Sequence, residues 1–144
     1  MFMRPRRYSS EAFVLARKNF SEADRILTIY SEKFGKLTLI AKGVRKPKSR
    51  KRGHIEVFSQ IKCSAARGKN MDIITEAELI DSFDEIRKDL KRVAVAYFLM
   101  ETIDKLTREE ETNKELYSNI LRYIRMTQNT RNLKRLRKGF IYDT

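Results

Sequence analysis

The apolar residues of this chain change period once, near Ser82, and that switch limits the possible folds more than any other feature. Before it, short β-forming runs are separated by turns: Phe13-Val14-Leu15-Ala16, Ile26-Leu27-Thr28-Ile29-Tyr30 and Lys36-Leu37-Thr38-Leu39-Ile40-Ala41. Phe34-Gly35-Lys36 supplies the turn that makes the second and third runs a hairpin. From Val57 to Ala65 the residues Val57, Ser59, Ile61, Cys63 and Ala65 share one face, and Phe58, Gln60, Lys62 and Ser64 the other. Arg67-Gly68-Lys69-Asn70 is a turn. A fifth strand, Met71 to Leu79, alternates Ile73, Thr75, Ala77 and Leu79 with Ile74, Glu76 and Glu78. Five short strands in about eighty residues predict a small barrel or sandwich. An OB-type Greek-key barrel is the most economical closed form, because closure removes exposed edges, and an SH3-like barrel fits the same pattern.

Beyond Ser82 the spacing is helical. Ser82 and Glu85 read as a capping box ahead of Ile86, Leu90, Val93, Tyr97 and Met100. Thr112 and Glu115 read as a second box, opening a helix with Leu116, Ile120 and Ile124. Asn132 to Tyr142 spaces Leu133, Leu136 and Phe140 likewise. Each stripe needs a partner, so the helices are expected to pack together and against the barrel. The predicted class is therefore α+β in two parts: a five-stranded OB-type β-barrel over residues 1–80, then an α-helical domain over 81–144. No Gly- or Pro-rich linker separates them.

Charge divides the chain as sharply as periodicity does. Residues 1–70 hold 18 Lys and Arg against 5 Asp and Glu, whereas residues 71–144 hold 14 of each, so the entire net charge of +13 lies in the front half. Its densest part is Lys42–Arg52, KGVRKPKSRKR, where seven of eleven residues are cationic and none is acidic. A basic half joined to a neutral half predicts one surface for a polyanion. Lys42, Arg45, Lys46, Lys48, Arg50, Lys51 and Arg52 are the candidate nucleic-acid contacts, with Gly43 and Gly53 as hinges and Pro47 as a stiffener. Arg4, Arg6, Arg7, Arg17, Lys18, Arg25, Lys36, Lys62, Arg67 and Lys69 are further cations of the same domain. Lysine and arginine on a loop neutralise phosphates without reading bases, which predicts sequence-tolerant, salt-dependent binding. Tyr8, Phe20, Tyr30, Phe34 and Phe58 are the aromatics to consider for base stacking; each reads first as a core residue, and Phe34 and Phe58 are the best placed of the set for stacking.

Catalytic chemistry finds no foothold. There is neither a phosphate-cradling P-loop nor a G-x-G-x-x-G, and one Cys (Cys63) with one His (His54) cannot complete a four-ligand zinc site. Cys63 reads as a small buried hydrophobe, His54 as a solvated loop residue, and Glu109-Glu110-Glu111 as favourable charges before a helix N-terminus. No enzyme, cofactor or metal is expected. The basic amino terminus is broken by Ser9, Ser10 and Glu11 and lacks a cleavage pattern, and no apolar run is long enough to span a bilayer, so a cytoplasmic location is expected.

The order of several motifs resembles a known family. Glu11-Ala12-Phe13-Val14-Leu15, Glu22-Ala23-Asp24-Arg25-Ile26-Leu27, Phe34-Gly35-Lys36-Leu37 and above all Ala41-Lys42-Gly43-Val44-Arg45-Lys46-Pro47-Lys48-Ser49-Arg50 are similar to the amino-terminal region of RecO recombination mediators. The resemblance covers most of residues 8–80, and the helical half matches only in general character. It implies an OB domain followed by a helical domain and a bacterial, nucleoid-associated role in recombinational repair. It also implies binding of single- and double-stranded DNA, strand annealing, and loading of RecA onto DNA coated by single-strand-binding protein (SSB). Partners so implied are RecR and the acidic, hydrophobic tail of SSB, and the family's basic DNA-contacting loop falls on Lys42–Arg52. Two departures stand out: the chain lacks the four-cysteine zinc motif of many members, and it stops within a helix that the family continues, as a shortened member or a truncated one would. An RNA- or ribosome-associated OB module and a scaffold that docks an acidic protein tail are the alternatives the residues leave open.

Overall fold

A computed structural model describes residues 4–46 and 55–143, with side chains through Gly139. Five strands come first: β1 (Arg7–Phe20), β2 (Asp24–Ser31), β3 (Gly35–Ala41), β4 (Gln60–Ala66) and β5 (Asp72–Asp81). They close into a barrel in the order β1-β2-β3-β5-β4, with β4 returning to β1. All pairings are antiparallel except β3 with β5, where Leu39 faces Asp72 and Ile40 faces Ile73. This is the OB arrangement and excludes the SH3-like alternative.

Closure explains why β1 is far longer than its apolar run. Its first half, Arg7–Phe13, pairs with β4, and its second half, Ala12–Phe20, pairs with β2, so one strand serves both neighbours. Ala12 and Val14 face the barrel interior with Leu27, Ile29, Leu39, Ile61, Cys63 and Ile74, whereas Phe13 and Leu15 face outward onto the helices. Ala12–Leu15 is thus buried on both faces, as a continuous apolar run requires. Each such large side chain taken from water stabilises the fold by roughly 1.5–3 kcal/mol.

The regular alternation expected in β5 fails at two points, at Ile80, where Gln60 pairs with Asp81 but Ile61 with Leu79, and at Thr75. Ser64 pairs with Glu76 but Ala65 pairs with Ile74, leaving Thr75 as the extra residue of a bulge. Ile74 and Ala77, expected on opposite faces, therefore both point inward, and Leu79, expected on the face of Ala77, is 39% exposed. Strand β4 begins at Gln60 rather than Val57, because Phe58 adopts a left-handed conformation (φ 60°) that ends extended pairing.

Helices α1 (Asp84–Arg87), α2 (Leu90–Leu106), α3 (Lys114–Asn129) and α4 (Leu133–Asp143) follow. Both expected capping boxes are corrected. Phe83, left-handed and without a side-chain cap, precedes α1, and Ser82 bonds the Asp84 carboxylate instead. A break at Lys88–Asp89 then separates α1 from α2, which Asp89 caps. Leu90, placed in the expected apolar stripe, is consequently 88% exposed in the first turn of α2. Asn113, not Thr112, caps α3 by accepting from the Leu116 amide at 2.9 Å. Ala96, Leu99, Met100 and Ile103 of α2 pack on Phe13, Leu15 and Tyr30 together with Tyr117, Ile120 and Ile124 of α3. This second core welds the helices to the barrel wall, as the stripes required.

Candidate nucleic-acid interface

The β1–β2 turn and the start of the β3–β4 connection lie together at one end of the barrel. Their meeting is built from main-chain chemistry. Gly43, at φ 67°, donates its amide to Asp24 Oδ1 at 2.8 Å, and the Arg45 amide donates to the Ala23 carbonyl at 3.0 Å. Arg45 adds its side chain: Nε reaches the Asp24 carbonyl at 3.2 Å and Nη2 the Ser21 carbonyl. Val44, between them, is fully buried in the barrel interior. The opening of the basic stretch is therefore an anchored turn, and Gly43 acts there as a fixed left-handed residue rather than a hinge.

This anchoring sorts the predicted contacts. Lys42 and Lys46 are exposed, and among the described residues neither forms an ion pair with a carboxylate. Arg45 is half-buried and braces the turn, so its first role is structural. Lys48, Arg50, Lys51 and Arg52, with Pro47, Gly53 and His54, lie outside the described residues.

Strand register extends the surface outward from this turn. On the outer side, Lys18 lies opposite Ile26, Ile26 opposite Ile40, and Ile40 beside Ile73, while Ala16, Thr28 and Thr38 form the next row. Phe20, 47% exposed, closes β1 at the tip beside the turn. The result is a half-buried aliphatic strip, an exposed ring at its end and exposed Lys18, Lys42 and Lys46 nearby. Such a strip can take base faces while the ammonium groups take phosphates.

Phe34 and Phe58 are both buried, in keeping with the core reading of these aromatics, and so cannot be the best of them for stacking. Phe34 turns inward because Ser31 Oγ ties the tight turn, donating to the Gly35 carbonyl at 2.8 Å and accepting from the Phe34 amide at 3.1 Å. Its ring meets Tyr8 edge-on at 5.0 Å. Phe58 sits under the Arg87 guanidinium, 3.9 Å from the ring centroid, with Tyr97 edge-on at 5.8 Å. Tyr30 is buried as well, and burial raises its hydroxyl pKa. Phe20 is the one of the five that stands out into solvent.

Several of the additional cations are spent inside the fold. Arg17 pairs with Glu56 at 3.0 Å, and Lys36 with Asp104 at 2.6 Å. Arg4 pairs with Asp72 at 2.8 Å and with Glu110. Lys62 faces Glu11 on one neighbouring strand and Glu78 on the other. Glu109-Glu110-Glu111 accordingly differs from expectation: it clasps the barrel rather than serving a helix terminus. The Glu110 amide donates to the Lys36 carbonyl at 2.8 Å, Thr38 donates to Glu109, and Tyr30 donates to the Glu111 carbonyl at 3.4 Å. β3 is open to this clasp because β5 diverges from its first half. Periodicity signals neither the clasp nor the seat of Arg87 over Phe58, apart from the alternation in β3, which puts Lys36 and Thr38 on the face opposite Leu37.

Comparison with known proteins settles the relationship. The family model described as the recombination protein O N terminal matches residues 3–83, and that of the recombination protein O C terminal matches residues 87–137. The chain belongs to the RecO family. A protein named DNA repair protein RecO from Roseiflexus sp. (strain RS-1) is 39% identical over 123 residues, 85% of this chain and 43% of that protein. Its namesake from Desulforamulus reducens is 41% identical over 111 residues, 77% of this chain and 43% of the relative. That from Dehalococcoides mccartyi is 33% identical over 127 residues, 88% of this chain and 50% of the relative. The chain thus spans about half the length of the curated relatives it matches. Within this RecO-family chain, no described helix is long and apolar enough to cross a membrane.

Proposed function

We propose that this chain is the DNA-binding part of a non-catalytic repair protein, which holds single- and double-stranded DNA and anneals complementary strands. The observation that carries the reading is the exposed group Lys18, Lys42 and Lys46 beside Phe20 and the aliphatic strip of an OB barrel. Annealing is downhill, and its obstacle is repulsion between two polyanions, so a cationic surface assists it without nucleotide hydrolysis. The same proposal takes residues 1–80 as the DNA-binding domain and 81–144 as the helical one. Lys42, Lys46, Lys48, Arg50, Lys51 and Arg52 are the phosphate contacts, with Arg45 bracing them. Assistance to RecA loading, cooperation with RecR and residence in the bacterial cytoplasm at the nucleoid belong to it too.

For the acidic tail of SSB, a groove of about 480 Å³ on α3 offers complementary chemistry: Leu121 and Met126 are apolar, and Arg122 and Arg125 are cationic. An acidic peptide should therefore bind the parent chain and lose affinity in R122A/R125A.

The decisive test is fluorescence-monitored annealing of complementary oligonucleotides, with and without SSB, by the parent and by K18A/K42A/K46A. Removing three phosphate contacts should flatten the log–log salt slope for single strands by about 2 and slow annealing. Unchanged slope and rate would reject the interface. Stronger binding of structured RNA in competition would move the chain to an RNA-directed role.

A further inference from the structure

The acidic residues of this basic chain are concentrated where α2 passes into α3. Residues 101–115 hold six Asp and Glu against three Lys and Arg, in a chain whose net charge is +13. Four of the six are engaged within the fold. Glu101 pairs with Lys105 at 2.8 Å and Asp104 with Lys36 at 2.6 Å, Glu109 accepts from Thr38, and Glu110 pairs with Arg4. Glu111 and Glu115 remain. Both are exposed, and among the described residues neither forms an ion pair.

These two residues line a cavity of about 340 Å³ between the end of α2, the start of α3 and β2. Tyr30 and Ile103, both buried, make its inner wall, and Leu106, 60% exposed, stands at its rim. Acceptors inside it outnumber donors. The Tyr30 hydroxyl has one proton for two carbonyls, those of Glu111 and Asn113, both at 3.4 Å, and among the described residues no donor reaches its oxygen. The Asn113 carbonyl also takes the Tyr117 amide at 3.1 Å, whereas the Glu111 carbonyl has no second donor there. Burial raises the pKa of the Tyr30 hydroxyl, and the Glu111 carboxylate is near enough to add to it. Lys36, opposite Tyr30 on β3, is already held by the Asp104 carboxylate and by the Asp104 and Thr107 carbonyls.

A cavity so lined repels phosphate and favours a cation. The first-turn amides of α3 are the one feature that suits an anion, and Glu115 in that turn already complements them. The volume lies at the small end of the roughly 300–1,000 Å³ of ligand sites, which suits one long side chain. Arginine fits best: its stem can lie along Leu106 and Leu116 while its guanidinium donors meet the hydroxyl, the carbonyl and the carboxylates that lack them. We infer that this cavity docks a partner protein, which inserts an arginine side chain and covers Leu106 with an apolar residue beside it. Its sign is opposite to that of the proposed DNA interface, and Tyr30 lies about 20 Å along β2 from Asp24 at the β1–β2 turn, so the partner does not compete with phosphate for the same charges. Docking here does not require that the barrel bind DNA.

The test is an NMR titration of the isotope-labelled chain with acetyl-Arg-Leu-amide, followed at the side-chain amides of Asn113 and Asn119, which line the cavity. Saturable shifts are expected. Affinity should fall about tenfold or more when citrulline replaces the arginine, and likewise in E111Q/E115Q, as loss of a charge-assisted hydrogen bond requires. Glu115 also favours the α3 terminus, so E111Q, outside any helix, is the variant that leaves that terminus untouched, and it should lose about threefold or more. Acetyl-Arg-Gly-amide should bind the parent several-fold more weakly than acetyl-Arg-Leu-amide, and L106A should close that gap. No saturation, equal binding of the citrulline peptide, or parent-like affinity in E111Q overturns the site. Equal affinity of the two arginine peptides, or tighter binding of spermidine or of acetyl-Glu-Leu-amide at the same signals, overturns the protein partner in favour of a polyamine or an anion.

Discussion

Gly35 and Gly43 both adopt left-handed backbone, at φ 72° and 67°, yet replacing each by alanine should have very different consequences. The intrinsic penalty of this conformation for a residue with a Cβ is about 1–2 kcal/mol and applies to both. At Gly43 the added methyl meets only Lys46 Cδ at 3.8 Å, ordinary contact with a flexible side chain. At Gly35 it would lie 2.3 Å from the Glu111 carbonyl oxygen and 2.6 Å from its carbon, so the acidic clasp must move off β3. That displaces the 2.8 Å bond from the Glu110 amide to the Lys36 carbonyl, worth about 1 kcal/mol net. It also loosens the Arg4–Glu110 and Lys36–Asp104 pairs, together worth about 1–2 kcal/mol after allowance for their partial exposure. Gly35→Ala should therefore cost about 3–5 kcal/mol and Gly43→Ala about 1–2 kcal/mol. In thermal unfolding these correspond to losses of about 10 °C or more and about 4 °C. Urea unfolding at neutral pH measures both on one scale. Equal destabilisation would show that the clasp is not seated on β3 as described.

Three further outcomes follow from buried polar groups. Burial pushes the Asp72 carboxyl up, but donors from Arg4, Tyr8 and the Gly68 amide outweigh it and hold its pKa below the ordinary value. Its contribution is therefore present above the unfolded pKa of about 4 and lost as pH falls through the lower folded value, so the stability gap between parent and Asp72→Asn should be full at neutral pH and close in acid. Arg87, its pKa lowered by burial, bonds the Val57 and Ser82 carbonyls and Ser59 Oγ and covers Phe58. Arg87→Lys should cost about 2–3 kcal/mol in urea unfolding, and a loss under about 0.5 kcal/mol would refute the latch. Burial pushes the Tyr117 hydroxyl up to about 12, so parent stability should fall between the unfolded value of about 10 and about 12. Tyr117→Phe should fall less steeply over that range, with the raised hydroxyls of Tyr8 and Tyr30 keeping their own share, yet be about 1–3 kcal/mol less stable at neutral pH, because it strands the buried Gln60 amide that donates to the hydroxyl at 3.2 Å.

Much of this molecule was legible in its order of residues. The period switch near Ser82 separates strands from helices because side chains alternate every two residues in one and return every 3.6 in the other. The buried Cys63, the β2–β3 hairpin and the concentration of cations in the front half were readable for the same local reason. Phe34 and Phe58 join the core, as most aromatics of such a barrel are expected to, and ranking them first for stacking failed because a turn-forming serine and a left-handed residue set where their side chains point. Thr75 shifted the face of β5 through a bulge that has no local signature.

Charge shows the division most clearly. Composition determined how many cations the front half carries, but not which of them remain available to a ligand. Arg4, Arg17 and Lys36 are consumed by carboxylates up to 106 positions away in sequence, whereas Lys42 and Lys46 stay exposed on the barrel end. Propensity and periodicity act between near neighbours and are written into any short window of the chain. Ion pairing acts through space, so only closure of the barrel and docking of the helices decided where the open positive surface lies.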